Sequence, residues 1–442
     1  MAKAKFRGAL PSTSLPFVGA VVLIGTLMAV INVSAQTVDP LSVVMYQGFN
    51  WDSSKNAPWY PKLQAAADDI AAAGITDVWF PPPSQSAAEQ GYIPANLYDL
   101  DSSKYGTEAQ LKAAIAAFRE KGVRAMSDIV INHRNGSKQD DNGYWCIFEG
   151  GTDDARLDWA EWAVPPGDQP FPNCGTGNAD TGESFPLAPD IDHTNPRVQK
   201  ELSEWMNWLK SEIGFQGWRF DMVTGYSANI SGLYLANTDP AFAVGELWPH
   251  NFNINRVDEH RQKIVSWIHD SGGRASAFDF TTKAALQWAI QNNDLSRMDL
   301  DGKPPGVIGV LPEKAVTFID NHDTAEPQHI ELGPFPYDKL LQGYAYILTH
   351  PGVPCIFYDH FNDKNFKEII TKLGATRKKH GIKANSVVRI MAAQSDLYMA
   401  TVDEKVVVKI GPKEDLGNLQ PGSDFSLVAN GDGVAVWEKN SA

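Results

Sequence analysis

Short apolar runs of strand length alternate with helix-spaced segments from Val43 to His380, and this alternation most constrains what the chain can become. The strand-like runs are 43–47, 76–80, 122–131, 217–221, 242–246, 275–279, 316–323 and 353–358. Helical segments lie between most of them. Residues 61–73 close on Gly74. Residues 108–121 place Leu111, Ile115 and Phe118 at helical spacing and stop at Gly122. Residues 197–213 carry Leu202, Trp205, Leu209 and Ile213 on one stripe, so Trp205 reads as core. Further helices are expected at 260–269, 281–291, 339–350 and 366–380. Strand–helix alternation builds a parallel sheet covered by helices. Eight such units predict the α/β class and a closed (β/α)8 TIM barrel.

In such a barrel, reactive groups belong at the C-terminal ends of the strands. Four of the runs end there in polar groups. In Gly217-Trp218-Arg219-Phe220-Asp221, residues two apart face the same side of a strand. Arg219 therefore stands beside Asp221, and a guanidinium that close favours an ionised carboxylate, a ready nucleophile. One such pair alone reads more simply as a solvated ion pair. The recurrence argues otherwise. Phe242-Ala243-Val244-Gly245 leads into Glu246, Phe318-Ile319-Asp320-Asn321-His322 into Asp323, and Asp128-Ile129-Val130-Ile131 into Asn132-His133. Four reactive exits imply one shared face.

The rest of the chain divides around that barrel. Lys3, Lys5 and Arg7 precede an apolar stretch from Leu15 to Val33, and Val33-Ser34-Ala35 offers small residues for cleavage. Residues 1–35 are read as a secretory signal peptide, with an uncleaved membrane anchor as the rival. The barrel is assigned to 36–131 and 193–380. Between them lie about sixty residues, 132–192, an inserted loop domain after strand 3 with little periodicity. It holds many acids, and spacing alone leaves a solvated acidic loop and a calcium site as equal readings. From 381 to 442 short β-branched runs separated by Gly and Asp turns predict a small C-terminal antiparallel β-sheet domain. Three cysteines, Cys146, Cys174 and Cys355, are no disulfide framework; a Cys146–Cys174 bridge stays open. Asn135 and Asn229 head glycosylation sequons. A net charge of −15 argues against nucleic acid and fits a neutral substrate.

The sequence resembles the α-amylase family of glycoside hydrolases, and within it the plant type. The resemblance rests on the four strand-exit motifs taken together, in order. Gln47-Gly48-Phe49-Asn50-Trp51, Cys146-Ile147-Phe148-Glu149-Gly150-Gly151 and Ala188-Pro189-Asp190-Ile191-Asp192-His193 add the plant-type character. It implies endo-acting, retaining hydrolysis of internal α-1,4-glucosidic bonds in starch and related glucans. By resemblance Asp221 is the nucleophile, Glu246 the general acid and base, and Asp323 the stabiliser of the oxocarbenium-like transition state. Tyr92, His133, Arg219 and His322 are the implied substrate contacts. Calcium is the implied cofactor, held by Asn132, Asp180 and Asp190 through side chains and by Glu183 and Gly225 through carbonyls. A further site is implied at Glu149, Asp154 and Asp158. The expected molecule is a monomer without nucleic-acid or stable membrane partners. It is expected in the secretory pathway, extracellular, with vacuole or plastid as other destinations.

Three positions depart from the family pattern. Thr224 stands where Lys or Arg is usual, Pro249 where Asp is usual, and Gln85 where His is common in the plant type. None is one of the three acids. They keep a second reading in view, a catalytically weak starch-binding relative of the same fold.

Overall fold

The computed structural model describes residues 39–168, 171 and 173–440. The expected signal peptide lies outside the described residues. Eight parallel strands close into a barrel in chain order, the last pairing with the first. They are β1 (Met45–Gln47), β2 (Asp77–Phe80), β3 (Arg124–Ile129) and β4 (Gly217–Phe220). Then follow β5 (Phe242–Gly245), β6 (Ser276–Phe278), β7 (Ala315–Thr317) and β8 (Val353–Phe357). Every residue of these strands is buried. Burial on both faces is why they read as continuous apolar runs rather than as alternation.

Among the described residues the helices are α1 (Tyr60–Ala65), α2 (Ala67–Ala72), α3 (Glu108–Glu120), α4 (Pro196–Trp208) and α5 (Ala228–Thr238). After them come α6 (Val257–Asp270), α7 (Phe280–Gln291), α8 (Leu340–Thr349), α9 (Tyr358–Asn362) and α10 (Lys367–His380). Local chemistry sets their ends. Thr107 accepts from the Gln110 amide, and the Gln110 side chain accepts in return from the Thr107 amide, so α3 starts on a capping box. Gly381, at φ 62°, ends α10 in the left-handed region. Helix α5, between β4 and β5, has no counterpart among the segments expected from periodicity. Its buried side, Ile230, Ser231, Tyr234, Leu235 and Thr238, is broken by Ser231 and Thr238.

The tail forms β9 (Val388–Gln394), β10 (Leu397–Val402), β11 (Val406–Ile410), β12 (Phe425–Gly431) and β13 (Val434–Lys439). All pairings are antiparallel, in the order β12-β13-β11-β10-β9. This sheet packs on α8 and α10. A buried bond of 2.8 Å between His350 Nε2 and the Tyr398 hydroxyl ties the two parts.

Residues 130–195, between β3 and α4, contain a single short helical turn at Glu161–Ala163 among those described. Their order comes from long side chains instead. Buried Arg134 donates to the carbonyls of Ala95 and Leu157, each at 2.7 Å, and to that of Glu149. Its guanidinium also lies over Phe148 and Trp159. Cys146 and Cys174 are joined in a disulfide, closing the bridge the sequence left open, and Cys355 is a buried free thiol. No described helix is long and apolar enough to cross a membrane.

Candidate active site

The exits of β3, β4, β5 and β7 meet around Arg219, whose side chain is fully buried. One nitrogen, Nη1, donates to Asp221 Oδ1 at 2.7 Å and to Asp128 Oδ1 at 2.8 Å. The other, Nη2, lies 2.6 Å from Glu246 Oε1 but makes no aligned hydrogen bond to it. The arginine also stacks its charge over Trp79, 4.8 Å from the ring centre. One cation thus stands among four acids, counting Asp323.

The balance of charge shows in the acids themselves. Burial pushes Glu246 up to about 8; Arg219 pulls against the shift, and Asp221 and Asp323 add to it. Burial likewise raises Asp323 to about 7 and Asp128 to about 6, against the pull of Arg219. A carboxyl that stays protonated near neutrality beside a carboxylate held by a guanidinium is the arrangement for a proton donor and a nucleophile. The sequence led us to assign Arg219 to Asp221 alone. In the structure it touches both, and burial rather than distance from the cation keeps Glu246 high.

Backbone packing fixes these side chains. A Cβ on Gly245 would lie 2.2 Å from the Trp267 ring, so only glycine lets α6 approach the end of β5 just before Glu246. The Met222 amide donates to Glu246 Oε2 at 3.2 Å. Met222 itself is in the left-handed region at φ 41°, which turns the chain sharply after Asp221.

The aromatic and histidine candidates surround the acids. Tyr92 donates its hydroxyl to Asp128 Oδ2 at 2.9 Å, and its ring lies parallel to His322 at 5.0 Å. Gln47 Nε2 donates to His322 Nδ1 at 2.9 Å. Burial holds His322 neutral, so its proton sits on Nε2, 3.4 Å from Asp323 Oδ2. His133 differs from expectation. Its Nε2 donates to the Tyr92 carbonyl at 2.8 Å, and the ring stacks on Phe185 at 3.6 Å. Its Nδ1 accepts from Asn132 Nδ2 at 3.4 Å, so both ring nitrogens are engaged within the protein.

Asp128, Trp79 and Gln47 belong to this site and sequence reasoning did not place them there. Asp128 was quoted only as the start of a motif, yet it is buried and accepts from Arg219, Tyr92 and Trp79. An acid in the middle of an apolar strand was the available signal.

The calcium candidates separate into two groups. Asn132, with its Oδ1 buried and unpartnered, faces Gly225, where a Cβ would lie 1.9 Å from that oxygen. Asp190 accepts from Asn132 Nδ2 at 3.0 Å, and burial beside Asp168 raises it to about 8. Asp168, absent from our expected set, has its own buried, unpartnered Oδ1. Asp180 and Glu183 are exposed nearby, and the Glu183 amide donates to the Thr224 carbonyl at 3.0 Å. Crowded carboxylates and orphaned oxygens fit a hard cation with oxygen ligands. Glu149, Asp154 and Asp158 are each engaged locally instead, by Lys138, by Arg156 at 2.8 Å and by the Gly150 amide at 2.8 Å. Among the described residues no three Asp, Glu, His or Cys side chains converge as a metal-holding group.

A carboxyl raised by burial beside a second carboxyl bonded to a guanidinium, at the mouth of a (β/α)8 barrel, is the pair that acetal cleavage uses, and the class is that of the glycoside hydrolases. Family models agree in both halves. Residues 66–260 match the α-amylase catalytic domain and 379–438 the α-amylase C-terminal β-sheet domain. The chain is 43% identical to probable α-amylase 2 of Arabidopsis thaliana over 407 residues, 90% of this chain and 94% of that one. It is 41% identical to the chloroplastic α-amylase 3 of the same plant, covering 89% of this chain but 44% of that longer protein. A crystal structure of an α-amylase from Geobacillus thermoleovorans with acarbose superimposes with a TM-score of 0.63 at 16% identity, covering 90% of this chain and 98% of that one. The chain belongs to the α-amylase family.

Proposed function

We propose that this protein is an endo-acting α-amylase that cleaves internal α-1,4-glucosidic bonds of starch and related glucans with retention. The observation that carries the reading is the contrast around Arg219, with Asp221 hydrogen-bonded to it and Glu246 raised to about 8 by burial. Asp221 attacks the anomeric carbon as Glu246 gives its proton to the departing glycosidic oxygen, leaving a covalent glycosyl ester. Glu246, now a carboxylate, takes a proton from water, whose oxygen attacks the same carbon and frees Asp221. Asp323 supports the positive charge of both transition states, with the His322 Nε2–H beside it. Tyr92 offers a ring face to the sugar, and Arg219 holds the acids in place.

Calcium, when bound by Asn132, Asp168, Asp180 and Asp190 with the carbonyls of Glu183 and Gly225, supplies a structural brace between the inserted segment and the turn after β4. No chemical step passes through it. The disulfide favours an oxidising compartment, so the secretory pathway is our assignment, with the plastid of the chloroplastic relative as the alternative.

The test is reducing-end release and iodine colour on soluble starch. Fast colour loss with few small sugars, abolished by Asp221→Asn, supports the endo reading. A chain that binds starch and releases nothing with calcium present overturns it. That outcome would favour the weak relative, for which Thr224 and Pro249 speak.

A further inference from the structure

Lys283, on α7, is completely buried and belongs to none of the features above. A buried lysine needs partners for its charge and all three of its N–H bonds. Its Nζ has four oxygens in reach. They are Gln287 Oε1 at 2.7 Å, the Ile319 carbonyl at 2.7 Å, Asp320 Oδ1 at 3.0 Å and the Gly333 carbonyl at 3.2 Å. Ile319 and Asp320 lie just before His322 and Asp323. Gly333 lies where the loop after Asp323 returns to the barrel.

Gln287, one helical turn along α7, extends the same clamp. Its Nε2 donates to the carbonyls of Leu332 at 2.9 Å and Pro334 at 3.1 Å. Asp320 is the hub between lysine and loop. It accepts from the Thr324 hydroxyl at 2.8 Å and from the Phe335 amide at 3.0 Å. Thr324 Oγ1 in turn accepts from the Asn321 amide, and Asn321 Oδ1 accepts from the amides of Asp323 and Thr324. The backbone carrying Asp323 is therefore a closed turn, Asp320 to Thr324, with the Lys283 ammonium on one Asp320 oxygen and His360 Nε2 3.6 Å from the other. The loop crosses back at Ile330, whose amide donates to the Asp323 carbonyl at 2.9 Å.

We propose that Lys283 is a positioning residue for Asp323. It draws Ile319, Asp320 and Gly333 together, and so sets where the Asp323 carboxylate stands relative to the scissile bond. The inference rests on the assignment of Asp323 as transition-state stabiliser made above. A misplacement of about 1 Å at such a group costs roughly 100-fold in rate. The effect belongs in kcat, since an interaction made only in the transition state lowers kcat and leaves KM alone.

The experiment is a double-mutant cycle of Lys283→Met and Asp323→Asn in the full chain with calcium. It is read as kcat and KM on soluble starch, acarbose inhibition and thermal unfolding. Lys283→Met is expected to lower kcat roughly 10- to 100-fold with KM within about two-fold, and to weaken acarbose in step. In the Asp323→Asn background the same change is expected to add nothing, because its effect runs through the carboxylate already removed. Losses that multiply in the double variant overturn the proposal and leave Lys283 a residue of general stability. Asp323→Asn at the parent rate overturns instead the assignment of Asp323, a distinguishable result. If Lys283→Met does not yield folded protein, the isosteric Asp320→Asn takes its place in the same cycle with the same expectations.

Discussion

At the barrel mouth, Asp128, Asp221, Glu246 and Asp323 crowd one guanidinium; between β3 and α4, most acids find separate partners nearby. Asp154 pairs with Arg156 two residues on, Glu149 with Lys138, and Asp140 accepts the amides of Asn142 and Tyr144. The first set is buried, and burial raises Asp128, Glu246 and Asp323 so that they hold protons toward neutrality. Most of the second is wet and locally satisfied, so its charges interact weakly. The same residue type does chemistry in one place and shapes turns in the other. What differs is access to water, and the rigid strands that deny it.

The sharpest way to break this comparison is to neutralise one acid of each kind. Glu246→Gln is expected to lower kcat on the order of 10²–10⁴-fold, and Asp154→Asn to leave it unchanged, in initial-rate assays on starch. Equal losses would erase the distinction. Next in size is Arg134→Met, which leaves three buried carbonyls unpaired. It is expected to cost about 3 kcal/mol in denaturant unfolding and to open residues 132–192 to protease. A stable, protease-resistant variant would mean the segment holds itself.

A chelator is expected to lower the melting temperature of the parent but not of Asp190→Asn, while Asp158→Asn should respond like the parent. A response lost in Asp158→Asn as well would place a cation among the locally satisfied acids. The smallest effect is in pH. With Glu246 at about 8, kcat/KM should fall as pH rises through that value, where the acid loses its proton. The stability sign follows. A carboxyl raised from 4.5 in the open chain to about 8 in the fold stabilises fully below the first value and is lost through the second. Glu246→Gln should therefore melt higher than the parent above about pH 8 and alike below about pH 4, by calorimetry.

The barrel was legible because each strand is buried on both faces and four of the runs end abruptly in polar groups. Asp221, Glu246 and Asp323 announced themselves that way. Asp128 did not, because it lies within β3 rather than at its exit, and Gln47 did not, because an uncharged amide at the end of β1 carries no such mark; closure of the barrel brings the first onto Arg219 and the second onto His322. Helix α5 was illegible because tertiary packing, not apolar periodicity, makes it a helix. Asp168 was lost among a dozen acids whose spacing carries no period. Its meaning lies in its place, buried and accepting from the Asp190 amide at 3.0 Å.

The link between Cys146 and Cys174 ties the fate of that segment to the cell around it. In an oxidising lumen the chain between them, 28 positions apart, is a closed ring before the barrel finishes folding or after, and its ends cannot drift. Where glutathione keeps thiols reduced, the same ring is open and Arg134 and its carbonyls carry the load alone. One polypeptide would then exist in two mechanical grades, tight outside and slack inside, set by address rather than by sequence.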